Sequence, residues 1–290
     1  MSGHRFDKLK ILVVDDNAHM RKLVLTILRA FGALQIFEAK NCERAWTLLC
    51  EHNPDVVLLD WMMEGTSGIE LARKIRTDPH APDPLVPLVM LSGHTRPARV
   101  QEARDAGINE FIDKRVSVKT LIKGLTAVIR SPRPDVRTKS YLGPCRRRRN
   151  LPEYDGTERR AAMNRAEKAI DQLKGDFAEW AQDEVRRLAE ARQLYAGKPD
   201  VASRAALLRV AHDMKGQAAT FNFPLIARVA GSLATLLHDL PDGKELSLAL
   251  VGAHVDAIQV IHREKITDVS NKVAITLARE LEARVADILR

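Results

Sequence analysis

The run Lys10-Ile-Leu-Val-Val-Asp-Asp-Asn17 carries the clearest structural signal in the sequence. Its first five residues include four apolar ones, three of them β-branched, which is typical of a strand buried on both faces of a parallel sheet. Two acids and an amide follow where that strand would end. Apolar residues then recur at three- and four-residue intervals, which predicts an amphipathic helix that ends at Gly32. These residues are Met20, Leu23, Val24, Ile27, Leu28 and Phe31.

The same alternation of strand and helix continues to residue 130. Further strands are predicted at 34–38, 55–59, 85–91 and 110–113, and further helices at 42–52, 68–77, 96–106 and 118–130. Parallel sheets with helices on both faces produce this alternation. We therefore predict that residues 1–130 form a doubly wound α/β domain on a five-stranded parallel sheet.

Polar side chains follow these predicted strands at the points where they end. They are Asp15, Asp16, Asp60, Ser92 and Lys114. A single acid at a strand end is usually a solvated loop residue, but the carboxyl ends of parallel strands meet in one crevice. Three carboxylates there repel each other unless a cation joins them, and hard oxygen ligands suit Mg²⁺. A partly free carboxylate beside that metal can attack a phosphoryl group, while Ser92 and Lys114 hold its oxygens.

Residues 9–130 resemble the receiver domain of bacterial two-component signalling. The matching pieces are Ile11-Leu-Val-Val-Asp15-Asp16-Asn17, Val56-Val-Leu-Leu-Asp60-Trp-Met-Met63, Gly68, Met90-Leu-Ser92-Gly93 and Phe111-Ile-Asp-Lys114. The resemblance implies that Asp60 is the phosphoacceptor and holds Mg²⁺ together with Asp15 and Asp16. It implies that Ser92 and Lys114 contact the phosphoryl group. Phe111 would be a rotating switch residue, although a plain core role fits it equally.

Two residues depart from the receiver pattern. Glu64 stands four residues after the acceptor, where the family usually has Pro, and adds negative charge near Asp60. Arg115 replaces the Pro that usually follows the Lys, so a trans bond is expected after Lys114, because a non-proline cis bond costs about 3 kcal/mol. Both changes put normal phosphorylation kinetics in doubt without removing a ligand. Met62 and His94 flank the site, and the bulky Met62 suggests slow loss of phosphate to water.

Residues 131–160 are predicted to be a basic linker. Ser131-Pro-Arg-Pro134 breaks the preceding helix, and the segment has nine Lys or Arg against four Asp or Glu. It repeats the form Tyr-x-Gly-x-x-Arg-Arg at Tyr141–Arg147 and Tyr154–Arg160. A solvated linker would explain the charge. The repeat instead favours docking on the acidic receiver face, on a partner protein or, least favoured, on nucleic acid through Arg146–Arg149.

Residues 161–290 have almost no strand signal. Helices are predicted at 161–195, 201–221, 224–240, 246–264 and 268–289, which indicates an antiparallel bundle. The second of these carries His212, Lys215 and Gly216 on one side. Glycine in a helix costs about 1 kcal/mol relative to Ala, which suits a surface that an anionic group must approach closely. Lys215 would hold such a group as a point charge.

His212-Asp-Met-Lys215-Gly216-Gln217 resembles the histidine phosphotransfer (HPt) domain, over roughly residues 165–265. Such domains are helical bundles with an exposed phosphorylatable His. The resemblance implies that His212 carries phosphate, Lys215 neutralises it and Gly216 admits the partner. The family often has Ser or Ala in place of Gln217, which can still donate to a phosphoryl oxygen, and Gly in place of Asn222. The remaining histidines of this half, His238, His254 and His262, read as surface or satisfied core residues.

Length, composition and missing motifs further limit the class of protein. A length of 290 residues suggests two domains. No apolar run approaches the roughly eighteen residues of a membrane span, and Met1–Lys10 lacks the apolar core of a secretory signal. Cys42, Cys50 and Cys145 have no metal-binding spacing, so we expect thiols in a reducing cytoplasm. The sequence has no glycine-rich nucleotide loop and no kinase ATP-binding motif.

The favoured hypothesis is a phosphorelay protein without turnover enzymatic activity. Asp60 would accept phosphate from an upstream sensor histidine kinase, and His212 would exchange it with a receiver aspartate, either Asp60 or one on a downstream response regulator. A second hypothesis is a phosphotransfer module that serves outside partners only, gated by the phosphorylation state of Asp60. A third is nucleic-acid or protein binding through the Arg-rich linker. No membrane partner is expected.

Overall fold

A computed structural model describes residues 6–92, 97–114, 117–130, 133–138, 141–145, 157–221, 223–240, 246–266 and 271–289. The chain forms two compact units, residues 1–173 and 174–290. Several residues discussed above lie outside the described ranges. They include Gly93, His94, Arg115, Ser131, Arg146–Arg149, the Tyr154-Asp-Gly part of the second repeat, and Asn222.

The first unit contains a five-stranded, wholly parallel sheet of order β2-β1-β3-β4-β5. Its strands are β1 (Lys10–Val14), β2 (Gln35–Ala39), β3 (Val56–Asp60), β4 (Leu88–Ser92) and β5 (Glu110–Asp113). Its helices are α1 (Ala18–Ala30), α2 (Cys42–His52), α3 (Gly68–Thr77), α4 (Pro97–Asp105) and α5 (Val118–Arg130). All residues of the central strands β3 and β4 are buried, as expected for a sheet covered on both faces.

The predicted α/β fold class is confirmed, and most element boundaries agree within a few residues. Within the parallel sheet, the largest difference is at β4, which begins at Leu88 rather than at Leu85. Pro87 directly precedes the strand, and proline has no N–H to donate to the ladder. Polar caps fix the helix starts, since Asn17 accepts from the backbone of α1 and Ser67 forms a capping box with Glu70 on α3.

Part of the predicted linker folds as a β-hairpin within the first unit. The hairpin pairs β6 (Asp135–Arg137) with β7 (Leu142–Pro144) in an antiparallel register. It docks on the turn between α4 and β5, where a Cβ on Gly143 would lie 3.0 Å from the Cα of Gly107. Such a close approach of two backbones requires glycine, and both residues also have positive φ values. Sequence reasoning missed this hairpin because its strands are only three residues long.

Two arginines tie the hairpin and the α4–β5 turn together. Arg133, just before β6, donates to the carbonyl oxygens of Cys145 (3.2 Å) and Asn109. Arg76 on α3 is buried and donates to the carbonyl of Gly107 and to Asn109 Oδ1 (3.0 Å). Burial lowers the pKa of Arg76 to about 10, so the guanidinium stays charged at neutral pH. Asn109 Oδ1 also accepts from the N–H of Leu88 at the start of β4 (2.9 Å). Asn109 therefore connects the hairpin to β4.

The helix α6 (Thr157–Gly197) begins within the first unit. Ala162 and Ala166 on its early turns are buried, and Arg165 donates to the carbonyl of Ala30 at the end of α1 (3.4 Å).

The second unit is a helical bundle. It contains the rest of α6 with α7 (Val201–Thr220), α8 (Pro224–Asp239), α9 (Leu248–Arg263) and α10 (Lys272–Leu289). Leu188, Leu207, Leu233 and Val255 are among the residues of its shared apolar core. A bidentate ion pair joins Arg228 on α8 to Glu282 on α10. Among the helices that the structure describes, none has both the length and the hydropathy that a bilayer crossing requires.

Candidate functional site

Three acids meet at the carboxyl edge of the parallel sheet. Asp15 follows β1 and Asp60 ends β3, and both are fully buried, whereas Asp16 is half-buried. One carboxylate oxygen from each lies within 4.8 Å of the others. The structure thus brings together the three acids that the sequence assigned to one crevice.

Lys114, just after β5, reaches the same crevice. Its Nζ lies 2.9 Å from Asp60 Oδ2 and 3.2 Å from Asp15 Oδ2, and all three side chains are buried. Its backbone N–H donates to the carbonyl of Ser92 (2.8 Å), which joins the ends of β4 and β5. Ser92 is itself buried at this edge. The crevice therefore holds a buried lysine that partly neutralises its carboxylates.

The pKa of Asp15 is raised by burial, which disfavours its charged form. The positive charge of Lys114 and the N–H of Asn17, which donates to Asp15 Oδ1 at 2.9 Å, oppose that rise. The neighbouring charge of Asp16 adds to it. The carboxylates are therefore crowded, and a bound divalent cation would reduce the repulsion between them.

The donor set fits Mg²⁺. Asp16 Oδ2 accepts a hydrogen bond from the backbone N–H of Glu64 (2.9 Å). Asp16 Oδ1 is buried and, among the described residues, has no hydrogen-bond partner. A buried carboxylate oxygen left in this way is well suited to a hard cation, which takes one or two carboxylates and keeps several waters.

Gly68, the first residue of α3, packs directly against the backbone of Asp60. A Cβ at Gly68 would lie 1.8 Å from the carbonyl oxygen of Asp60, and the Gly68 N–H donates to the carbonyl of Trp61 (3.0 Å). Hence only glycine fits here, and its closeness holds Asp60 at the bottom of the crevice.

Phe111 on β5 is half-buried beside an aromatic residue that sequence reasoning did not single out. Its ring meets the ring of Trp61 edge-on, with centroids 6.3 Å apart. The guanidinium of Arg99 on α4 lies 5.1 Å from the Trp61 ring centroid. Trp61 directly follows Asp60 in the sequence, and this adjacency is the signal that could have identified Trp61 as part of the site. The contact links Phe111, the predicted switch residue, to the end of β3.

The surroundings of His212 differ from the exposed histidine that the resemblance implies. His212 lies on α7 and is fully buried, and so are Gly216 and Gln217. From Val210 to Ala218, only Lys215 is partly exposed. This side of α7 was predicted to face solvent, whereas the residues from Val210 to Ala218 are buried except at Lys215.

Two neighbours of His212 have distinctive environments. The side-chain oxygen and nitrogen of Gln217 are buried and, within the described part of the chain, have no hydrogen-bond partner. The stem of Lys215 packs against α8, where a Cβ on Gly231 would lie 3.4 Å from the Lys215 Cδ. Gly231 thus gives the Lys215 stem room on α8, which no feature of the sequence indicated.

His254 is a satisfied core histidine, as expected. Its Nδ1 lies 2.8 Å from the carbonyl oxygen of Leu250, and its Nε2 lies 3.0 Å from Ser232 Oγ. Because the carbonyl can only accept, Nδ1 carries the proton and Nε2 accepts from the hydroxyl. Burial lowers the pKa of His254. The ring is therefore a neutral structural link between α8 and α9.

Two protein families match the chain. The response regulator receiver domain matches residues 11–126, and the Hpt domain matches residues 172–285. The phosphate regulon transcriptional regulatory protein PhoB of Pseudomonas aeruginosa is 36% identical over 124 residues, which are 43% of this chain and 53% of that protein. The chemotaxis protein CheY homolog of Campylobacter jejuni is 33% identical over 122 residues, 42% of this chain and 92% of that protein. A structure of Vibrio cholerae chemotaxis protein CheY4 is 26% identical and covers 42% of this chain and 98% of its own, with a TM-score of 0.39.

The chain spans about half the length of PhoB (53%) and most of the CheY homolog (92%). It belongs to the response regulator receiver family. Because an Hpt domain follows, the chain is a receiver–Hpt fusion, and it is a two-component phosphorelay protein. Both matched domains are signalling modules.

Proposed function

We propose that Asp60 accepts a phosphoryl group from a phosphohistidine and that His212 exchanges phosphoryl groups with receiver aspartates. The observation that carries this proposal is the buried contact of Asp60 with Lys114 inside the cluster of three acids. In this proposal residues 1–130 are the receiver, residues 131–160 the basic linker and residues 161–290 the helical phosphotransfer domain.

The residues of the crevice have separable roles. An Asp60 carboxylate oxygen forms the new P–O bond as the P–N bond of the donor phosphohistidine breaks, and the released imidazole takes up a proton. Lys114 Nζ already lies 2.9 Å from Asp60 Oδ2, so it can form an ion pair with the oxygens of the transferred phosphoryl group. Ser92, at the end of β4, would contact the same oxygens. Phe111, on the neighbouring strand β5, would change its rotamer when Asp60 is phosphorylated.

Asp15, Asp16 and Asp60 would hold Mg²⁺. When bound, the ion would neutralise charge that develops on the phosphoryl oxygens. The chain's own contribution is to hold the carboxylates ready, through the N–H of Asn17 on Asp15 and the N–H of Glu64 on Asp16.

On α7, His212 would carry phosphate on one ring nitrogen. Lys215 would neutralise it, Gln217 would donate its amide N–H to a phosphoryl oxygen, and Gly216 would leave room for a partner. The buried amide of Gln217 supports this assignment, because a buried polar group without a partner costs free energy that a bound oxyanion would recover.

The partners that this chemistry requires are an upstream sensor histidine kinase and a downstream receiver domain, while direct exchange between Asp60 and His212 would make the relay internal. The protein would promote its own phosphorylation without being a turnover enzyme. None of its three cysteines forms a disulfide, which suits the cytoplasm.

The test is phosphate incorporation from acetyl phosphate with Mg²⁺ into the wild type, Asp60→Ala and His212→Ala. Acid- and alkali-stability of the label distinguishes phosphohistidine from acyl phosphate. Label that is partly acid-labile and entirely lost in Asp60→Ala would indicate transfer from Asp60 to His212. Label that is unchanged in Asp60→Ala would exclude Asp60 as the acceptor.

The full burial of His212 favours a second candidate, in which His212 reacts only after the residues that cover it move. Modification by diethyl pyrocarbonate, mapped by mass spectrometry, measures this directly. His80, whose side chain is 87% exposed, is the internal reference. We expect His212 to react at least about tenfold more slowly than His80, and faster once Asp60 is phosphorylated. Equal rates at both histidines would exclude this gating.

A further inference from the structure

Glu64 makes a contact with the acidic crevice that depends on its backbone alone. Its N–H donates to Asp16 Oδ2 at 2.9 Å, across 48 positions of sequence. Proline has no N–H, so the proline expected at this position from the receiver resemblance could not form this bond. The departure from the family pattern therefore adds a hydrogen bond to a proposed metal ligand.

This hydrogen bond leaves one oxygen of Asp16 for a cation. Oδ2 is engaged by Glu64, while Oδ1 is buried and lacks a partner within the described ranges. In the same ranges, the Glu64 N–H is the only hydrogen-bond donor to the Asp16 carboxylate. Without it, the carboxylate could rotate and would lose its fixed direction toward Asp15 and Asp60.

The Glu64 side chain has a different effect from its backbone. The residue is exposed, and its carboxylate adds negative charge on the solvent side of the site. That charge attracts a cation from solution, but salt screens it. Gly65 follows with a φ of +77°, a conformation that glycine adopts without strain, so the turn beyond Glu64 is built on a glycine.

We propose that the backbone N–H of Glu64 is a positioning group that orients Asp16 for Mg²⁺. This inference rests on the proposed role of the crevice as a Mg²⁺ site. Alanine at position 64 would keep this function, because it has a backbone N–H, and proline would lose it.

The test is the Mg²⁺ affinity of the full chain, measured by isothermal titration calorimetry. The matched variants are Glu64→Ala, which removes the carboxylate and keeps the N–H, and Glu64→Pro, which removes both. We expect Glu64→Pro to bind Mg²⁺ about tenfold more weakly than Glu64→Ala, because hydrogen bonds to charged groups are the stronger ones. Equal affinity of the two variants would overturn the inference.

A double-mutant cycle separates this inference from the proposed function. Asp16→Ala should weaken Mg²⁺ binding, and Glu64→Pro should add little in that background, since its effect passes through Asp16. If Asp16→Ala binds Mg²⁺ as the wild type does, the proposed metal site itself fails. If Asp16→Ala weakens binding and Glu64→Pro still has its full effect, only the role of Glu64 fails.

Amide exchange gives a measurement that does not require the proline variant to fold. The Glu64 N–H should exchange at least about tenfold faster in Asp16→Ala than in the wild type, because its acceptor is gone. The Asn17 N–H, which donates to Asp15, is the reference amide. An unchanged rate at Glu64 would contradict the hydrogen bond on which the inference rests.

Discussion

Gly68 makes the tightest contact at the proposed acceptor site, because its Cα faces the carbonyl oxygen of Asp60 with no space for a further atom. We expect Gly68→Ala to destabilise the first unit by about 3 kcal/mol, since overpacking forces the backbone apart. Urea unfolding followed by circular dichroism measures this. Gly197→Ala, at the end of α6 with nothing within 4 Å of the added Cβ, is the control and should not lower stability, since alanine is the better helix former. Equal stability of the two variants would show that the backbones of Asp60 and Gly68 can move apart enough to admit the added methyl group.

His254 should make the stability of the bundle depend on pH. Burial lowers its pKa below the ordinary value of 6.5, so the folded state resists a proton that the unfolded state binds. Stability is therefore complete above pH 6.5 and is lost as pH falls below it, by at most about 1.4 kcal/mol per pH unit. Unfolding curves from pH 7.5 to 5 should show a smaller loss for His254→Gln than for the wild type, while His80→Gln should follow the wild type. Parallel curves for wild type and His254→Gln would contradict this.

The clustering of the crevice side chains could be predicted, because acids and a lysine at strand ends leave a sequence signal. The structure brings Asp15, Asp16, Asp60 and Lys114 together as expected. The burial of His212 could not be predicted, because it depends on which elements cover α7 and not on spacing along it. The Glu64 contact was equally hidden, since a backbone N–H has no side-chain signature.

The hairpin shows the same limit at the scale of elements. Long helices repeat a pattern over ten or more residues, and the buried strands of the sheet are continuous apolar runs, whereas β6 and β7 have only three residues each. Their position depends on Gly107 and Gly143 meeting across more than thirty residues of sequence, which no local pattern encodes.

Arg133 should hold this hairpin in place. We expect Arg133→Ala to speed hydrogen exchange of the Cys145 N–H, which donates to the carbonyl of Pro134, by about tenfold or more, because the arginine joins Cys145 to Asn109. Arg137→Ala removes an exposed arginine on β6 and is the matched control, expected to leave the rate unchanged. Equal rates in the two variants would mean that strand pairing alone fixes the hairpin.

At the scale of the whole molecule, the chain forms two compact units, and each has its own buried apolar residues. The three proposed Mg²⁺ ligands all lie in the first unit. We expect differential scanning calorimetry to resolve two transitions, of which Mg²⁺ at about one hundred times its Kd stabilises only the first-unit transition, by about 2.7 kcal/mol. Asp16→Ala should lack this shift. An equal shift of the bundle transition would place Mg²⁺ binding elsewhere.

The order of the strands also determines how the receiver can assemble during synthesis. After β2 pairs with β1, each later strand (β3, β4 and then β5) adds to the same growing edge of the sheet. A nascent chain can therefore build the sheet in the order in which it leaves the ribosome, without opening a pair already made. Lys114 follows the last strand, so the charge that balances Asp15 and Asp60 arrives at the end of this sequence. Until then these two acids lack their lysine partner, and the proposed phosphoryl site is incomplete.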